Sequence, residues 1–492
     1  MFAKIRIFVY LFSLCPMAFG MGPLYAQKSL TLEQSLEIAA KNSPDIRSVE
    51  LNLERSSQSL KAQQAALKSR FSLSITPVDY SKDRLFNTDF SSWFTTQTKQ
   101  SYGMFTISQP ISWTDGTFAI INRLSWRDAS SANPFGTSKS RTYDNNLYLS
   151  FQQPIFTYNR TKINLRSLEL DLENNSLSYD IEKLALERSV TQNFYNVYKQ
   201  RMSKNIAIEE RNNQQKSYGI IKNKVDAGLA AKEELYQAEL NLATSESQLQ
   251  NENVTLENAL DDFKNLVGIS LFDSIQVTAD ISHHPVEVDL NSAIEHGLKY
   301  RMELRQRKID IENARYNLIQ TSALNEFKGN VSLNYGIIGT DEQFGNIYDA
   351  PTKNQRFSIS FDIPLWDWGE KKSRIKASQA VVKNRQLSLE DERNNIIIGI
   401  RQAYRSLINL QNQVEIARQN VRNAQLTYDI NLERYKNGDL TSMDLNLFQT
   451  QLSQKKMGLV EALINYKLAL LNLKIQSLWD FEKNRSVLSI DK

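Results

Sequence analysis

The stretch 218-YGIIKNKVDAGLAAKEELYQAELNLATSESQLQNENVTLENALDDFKNLVG-268 decides how the rest of the chain is read. Helical spacing runs up to it, breaks at Ala227-Gly228-Leu229, and resumes through Leu235, Ala238, Leu242, Leu249, Leu256 and Leu260. A similar stretch returns 210 residues later, taking Tyr218 to Tyr428, Gly228 to Gly438, Leu235 to Leu445 and Leu249 to Leu459. The same offset takes Phe151 to Phe361 and Pro154 to Pro364. The chain therefore holds two copies of one long unit. Each has a glycine reversal between helices too long for a compact core, and repeats of this kind form one body.

Of 492 residues, 23% are charged and the net charge is only +4, with Lys4 and Arg6 supplying two of those charges. No basic run suggests a nucleic-acid stripe. Residues 1–26 have the form of a secretory signal. Lys4 and Arg6 precede the apolar run Ile7 to Leu14, and a small-residue site ends at Ala26, with Ala18-Phe19-Gly20 as a second choice for cleavage. Cys15, the only cysteine, is expected to leave with the signal, so neither a disulfide nor thiol chemistry is expected. No run of 18 apolar residues follows, so a membrane crossing would have to be a β-barrel.

The first repeat is placed at 27–267, a connector at 268–289, the second repeat at 290–481 and a tail at 482–492. Leu32, Leu36, Ile46 and Leu60 lie on one helical face, broken at Asn42-Ser43-Pro44, and recur at an offset of 258 as Leu290, Ile294, Leu304 and Leu318. Within 71–153 alternation replaces the helical period: Phe71, Leu73 and Ile75, then Leu147, Leu149 and Phe151, are separated by mostly polar residues. The second copy, within 330–364, alternates Val331, Leu333, Tyr335 and Ile337, then Phe357, Ile359, Phe361 and Ile363. One apolar and one polar face is what a lipid-facing barrel strand requires, although strands of a water-soluble sandwich alternate too. Five of the six tryptophans (Trp93, Trp113, Trp126, Trp366 and Trp368, but not Trp479) lie in or beside these regions, as interface girdles would place them.

The change of offset makes the first β-region 48 residues longer than the second. The excess, around Trp113-Thr114-Asp115-Gly116, adds two strands or forms an elaborated loop or strand extension; the second reading is favoured. No proline occurs from Ile155 to His284 or after Leu365. Long helices are predicted at 157–226 and 368–436, returning at 230–266 and 441–481. At 1.5 Å per residue the longer pair reaches about 100 Å, and helices of that length must pack on one another. The strands would then lie at one end and the reversals at the other. Two repeats give four main strands, too few to close a barrel, so closure demands several chains; three would give about 12 strands, within the range of outer-membrane barrels.

With Leu30-Thr-Leu-Glu-Gln-Ser-Leu-Glu-Ile-Ala, Asn42-Ser-Pro-Asp-Ile46, Gln153-Pro154-Ile-Phe156, Ala227-Gly228-Leu229, Ile363-Pro364-Leu-Trp-Asp-Trp-Gly369 and Tyr435-Lys-Asn-Gly438-Asp-Leu in this order, the chain resembles the TolC-like outer-membrane efflux protein family across residues 29 to 480. The resemblance implies a mainly α protein with a membrane β-barrel. It would be a homotrimer, with a 12-stranded β-barrel in outer-membrane lipid and a long α-helical coiled-coil barrel in the periplasm. A periplasmic adaptor and an inner-membrane pump would open the helix tips. It implies no enzyme activity and no cofactor. Ala227, Gly228, Leu229, Gly438 and Asp439 match the tip motif that receives an adaptor. Tyr435 matches the family's tip tyrosine, and Glu234 its carboxylate partner, which suggests a hydrogen bond between them. Glu234 and Asp444 each stand six residues after a tip glycine, where they serve either as first-turn acids favoured by the helix dipole or as a ring of carboxylates at a closed mouth. Leu440 and Leu447 depart from the family pattern, which has arginine and aspartate there, so apolar packing is expected to contribute to the gate.

A secreted coiled-coil scaffold or adhesin would explain the long helices but not the duplicated strands. An enzyme is disfavoured because the histidines are confined to His283, His284 and His296, and no catalytic or metal constellation assembles.

Overall fold

In the computed structural model, residues 28–133, 136–282 and 284–487 are described. The expected signal and its cleavage site, His283 and the end of the tail lie outside them. No described helix is long and apolar enough to cross a membrane.

The first repeat reads β1 (Lys28–Leu30), α1 (Leu32–Asn42), α2 (Pro44–Ala66), β2 (Arg70–Asn87), β3 (Ser92–Ile111), β4 (Gly116–Asn133), β5 (Gly136–Ile155), α3 (Arg160–Asp226) and α4 (Lys232–Val267). After β6 (Ile275–Val277) the second reads α5 (Leu290–Tyr300), α6 (Met302–Ser322), β7 (Lys328–Asp341), β8 (Thr352–Asp362), α7 (Glu370–Asn437) and α8 (Ser442–Ser477). A short pair, β9 (Trp479–Asp480) and β10 (Arg485–Ser486), follows where the sequence reading continued the helix to 481. Leu478, with φ 54°, ends that helix early, and the Trp479 ring stacks on His296 with centroids 4.3 Å apart.

Two compact units share the chain. One comprises Ser43–Arg188, His283–Ile416 and Asn465–Lys492 and contains the large sheet. Its strands run in the order β2-β3-β4-β5-β7-β8, every neighbour antiparallel. The count corrects the expectation of four strands and a loop. The excess residues form β3 and β4, which pair with each other from Thr95–Ala132 to Ile111–Gly116 and with β2 and β5 on either side. The 12-strand figure rested on four strands per chain and does not follow from six. In one chain the sheet is open, with β2 and β8 as its edges.

Because directly opposed residues share a face, the register sorts every side chain. Leu73, Phe105, Asn122, Leu147 and Ile337 form one row, and Phe71, Ile107, Ile120, Leu149 and Tyr335 the next. The opposite face carries Ser72, Thr106, Ile121, Tyr148, Gly336 and Asn354. The first face is apolar and exposed across all six strands: Leu73 is 65% exposed, Phe105 42%, Leu149 40% and Phe357 64%. A patch of that extent is covered by something in a soluble environment, and its alternation matches a bilayer-facing wall. Beyond Trp126 and Tyr143 the same face becomes charged, with Arg141 3.7 Å from Asp128, so β2 to β5 extend past the apolar band. Trp113, Trp366 and Trp368 stand exposed at the opposite margin.

The added hairpin also fixes a helix start. Asp367 accepts hydrogen bonds from the amides of Gly369 (2.9 Å) and Lys371 (3.1 Å) at the entrance to α7. The position 210 residues earlier is Thr157, which has no carboxylate. There Asn159 accepts from the Lys162 amide (2.7 Å), and Asp115, in the β3–β4 turn, accepts from the Thr161 amide (3.1 Å). With these different caps α3 begins at Arg160 and α7 at Glu370, the same place in the two repeats. Below the sheet in the same unit, Arg305 binds Glu173 (2.8 Å) and Glu312 (3.3 Å), and Glu312 also meets Arg166 (3.5 Å). The Arg305 hydrogen bond holds the Glu173 carboxyl below its ordinary range.

The other unit runs to Asn42 and adds Ser189–Ser282 and Ala417–Ile464. Here β1 pairs in parallel with β6, and Arg201 donates to the Val277 carbonyl (2.7 Å). Phe194 packs edge-on to Phe263, both fully buried. Gly268, with φ 75°, ends α4 hard against Asn42, where a Cβ would come within 2.8 Å of the Asn42 Cβ.

An arginine at Ile120, on the apolar face of the added hairpin, should destabilise the protein in lipid vesicles by about 2–4 kcal/mol. Thr106→Arg, on the opposite face of the same hairpin, should cost much less. Equilibrium unfolding from vesicles in denaturant measures both.

Candidate functional site: the helix tips

Both reversals are built the same way. The Gly228 amide bonds the Val225 carbonyl (3.0 Å) and the Leu229 amide the Lys224 carbonyl (2.8 Å); at the second tip Gly438 bonds Tyr435 (3.2 Å) and Asp439 bonds Arg434 (2.9 Å). These are paired Schellman bonds, which need a residue at positive φ. Gly228 (72°) and Gly438 (92°) meet that need without a Cβ penalty. The second return helix is capped by Thr441, whose Oγ1 accepts from the Asp444 amide (3.2 Å) while its hydroxyl lies 2.7 Å from the Asp444 carboxylate.

Between these reversals lies a buried cluster of Ile221, Ala238, Tyr428, Tyr435, Leu445 and Leu452. Tyr435 is its largest member, 1% exposed. Its hydroxyl donates to the Ser217 carbonyl (3.3 Å), and its own carbonyl accepts from Lys224 Nζ (2.9 Å). The same ammonium stands 5.4 Å from the Tyr435 ring centroid. Lys224 thus joins the end of α3 to the C-terminus of α7, where the helix dipole favours a cation. Burial pushes the Tyr435 hydroxyl up to about 12; a hydrogen bond with Ser442 opposes the shift and the charge of Glu234 adds to it.

The hydrogen bond expected between Tyr435 and Glu234 is not formed: the hydroxyl points along α3 to Ser217 instead. Glu234 sits half-buried in the first turn of α4, close enough to act on Tyr435 by charge. Asp444 is exposed and engaged by Thr441. Leu440 packs against the buried cluster, whereas Leu447 is 54% exposed. Ala227, Gly228, Leu229, Gly438 and Asp439 are all exposed, and nothing lies within 4 Å of a Cβ built on Gly228.

Sequence reasoning missed the polar groups that bind the two hairpins together. Gln214 donates to Asn446 Oδ1 (2.6 Å), Gln449 to the Glu210 carbonyl (2.9 Å), and Lys456 to Glu209 (2.7 Å). Gln214 and Gln449 are both nearly fully buried. A signal existed: Gln449 interrupts the apolar stripe between Leu445 and Leu452, and Ser217 with Gln214 continues the stripe of Ile221. Burial also raises the Glu210 carboxyl, a shift that a hydrogen bond with Ser453 opposes.

The chain matches the model of a family described as outer membrane efflux protein, over residues 121–268 and 293–475. A search of curated protein sequences finds no significant match. Among solved structures it is similar to the Campylobacter jejuni CmeC outer membrane channel, with 14% identity, TM-score 0.69, and coverage of 91% of this chain and 85% of that one. It is similar also to the Vibrio cholerae outer membrane protein VceC (14%, TM-score 0.67, 91% and 95%). The open-state Neisseria gonorrhoeae MtrE outer membrane channel is a third (12%, TM-score 0.65, 91% and 88%).

Tyr435→Phe should weaken the tip by about 0.5–1.5 kcal/mol, the net worth of one hydrogen bond. Hydrogen exchange of amides near Gly438 would register it. The pH dependence has a definite sign. A hydroxyl raised from 10.0 to about 12 contributes stability that is fully present below pH 10 and is lost as pH rises through 12. Exchange at the tip should therefore show no step from this group between pH 6 and 9, and the Tyr435→Phe protein should lack the alkaline one.

Proposed function

The chain belongs to the outer membrane efflux protein family, and from that membership we propose that three copies form the outer-membrane duct of a tripartite efflux or secretion assembly. The family places it in the outer membrane and gives it a channel role. Cargo would pass from an inner-membrane pump, through a periplasmic adaptor, to the exterior. One observation carries the reading: a single chain combines a six-stranded sheet with one exposed apolar face and two glycine-tipped helical hairpins locked to each other. A coiled-coil scaffold has no use for the first, and nothing in the chain favours that alternative.

The resting duct is closed at its tips. Tyr435, held by Ser217 and Lys224, fastens α7 to α3, with Leu440 packed against the same cluster, and the exposed Leu447 is the apolar group left to narrow the mouth between copies. Glu234 and Asp444, repeated by threefold symmetry, make rings of carboxylates that attract cations and restrain anions. The exposed segments Ala227–Leu229 and Gly438–Asp439 receive the adaptor, whose docking must outweigh the bonds at Tyr435.

Fractionation tests the reading directly: the protein should sediment with the outer membrane as a trimer, and a soluble or surface-shed chain would refute it. In planar bilayers Tyr435→Phe combined with Lys224→Met should raise single-channel conductance at least several-fold. Glu234→Ala alone should change cation preference more than conductance. An unchanged conductance in the double variant removes Tyr435 from the gate.

A further inference from the structure

The sheet edges β2 and β8 are repeat copies of two strands that already pair at the centre of the chain. At the offset of 210, β5 corresponds to β8, taking Phe151 to Phe361; at the offset of 258, β7 corresponds to β2, taking Lys328 to Arg70. Inside the chain β5 and β7 are antiparallel neighbours, with Phe151 opposite Leu333 and Ile155 opposite Gly329. Carried over by the two offsets, the same register sets Phe361 opposite Ile75 and Leu365 opposite Phe71. Phe361 and Ile75 both lie on the apolar face, so the transferred register keeps that face continuous across the junction. A register one residue off would turn one strand's apolar side chains to the polar face.

Six strands cannot close alone, since membrane barrels begin at about eight, and two raw edges cannot remain in hydrocarbon. The hairpin β3–β4 belongs to the wall rather than to a loop above it. It pairs on both sides, carries the apolar rows through Phe105 and Ile120, and lends Asp115 to the start of α3.

We propose that β8 of one copy pairs with β2 of a second copy of this chain in the register Phe361–Ile75, so that three copies close an 18-stranded barrel rather than one of 12. The threefold count rests on the function proposed above; the six strands and the register do not. With strands about 4.8 Å apart and tilted about 40°, 18 strands enclose roughly 36 Å between backbones, against roughly 24 Å for 12. The wall is then wide enough for an aqueous channel. Its bore would be lined by polar residues such as Arg123, Asn146, Ser150 and Arg356.

The test uses the full-length chain expressed in the outer membrane. Oxidation of the Ile75→Cys, Phe361→Cys double variant should give a ladder of covalent dimers and trimers on a non-reducing gel. Ile75→Cys with Ser360→Cys, one residue off and on the other face, should give little, and each single variant none. Electron microscopy of the detergent-extracted wild-type protein should resolve 18 strands around a threefold axis. A trimeric wall of 12 strands with β3–β4 folded outside it, a ring of two copies, or cross-linking from Ser360 in preference to Phe361 would overturn the proposal. An outer-membrane trimer that fails these measurements refutes this inference alone. A chain absent from the outer-membrane fraction refutes the functional reading beneath it as well.

Discussion

Inside a bilayer an unpaired backbone amide or carbonyl has no water to satisfy it, and each one costs several kcal/mol. That constraint governs the sheet of this protein. Its apolar face, continuous from Phe71 on β2 to Phe361 on β8, suits hydrocarbon, but its two edge strands do not. The chain by itself is therefore an incomplete object in lipid. The internal duplication supplies a natural completion, because the edges repeat a pairing that β5 and β7 make within one chain. In the proposed pairing, assembly and membrane insertion answer one physical demand.

The gate proposed at the tips faces the opposite demand, since it must hold and also release. The cluster around Tyr435 is apolar enough to be stable, yet the bonds that hold the tyrosine itself are few and modest, one hydroxyl to the Ser217 carbonyl and one ammonium to the Tyr435 carbonyl, with Gln214, Gln449 and Lys456 linking the hairpins further along. Net hydrogen bonds are worth about 1 kcal/mol each, so a docking partner of ordinary affinity can outweigh them. The glycine reversals that stop the helices also leave the Leu229 side chain 79% exposed. In the proposed gate, economy of closure and access for a partner come from the same few residues.

Most of the helical plan was legible in the sequence. Absence of proline and sustained helical spacing predict α3 and α7 to within three residues at each end, and Gly228 and Gly438 mark the reversals. The added hairpin was harder to read. Its strands alternate less cleanly, with Asn122 and Gly103 interrupting the apolar rows, and Asp115-Gly116 announces a turn without saying whether the flanking residues join the sheet. The carboxylate partner expected for Tyr435 was wrong for a related reason. Spacing brings Glu234 near the tyrosine but cannot say which of several nearby acceptors the hydroxyl meets.

The sequence alone determined the duplication, the helix lengths, the reversals and the two-faced strands, because these follow from local periodicity and from residues with special backbone preferences. Tertiary structure decided the rest: that β3 and β4 enter the sheet, that Asp115 caps a distant helix, and that Lys224 and Ser217 hold Tyr435. The helix cap and the two tyrosine contacts join groups between 46 and 218 residues apart. No periodicity records such a meeting. It exists only once strands have found their register and helices their packing.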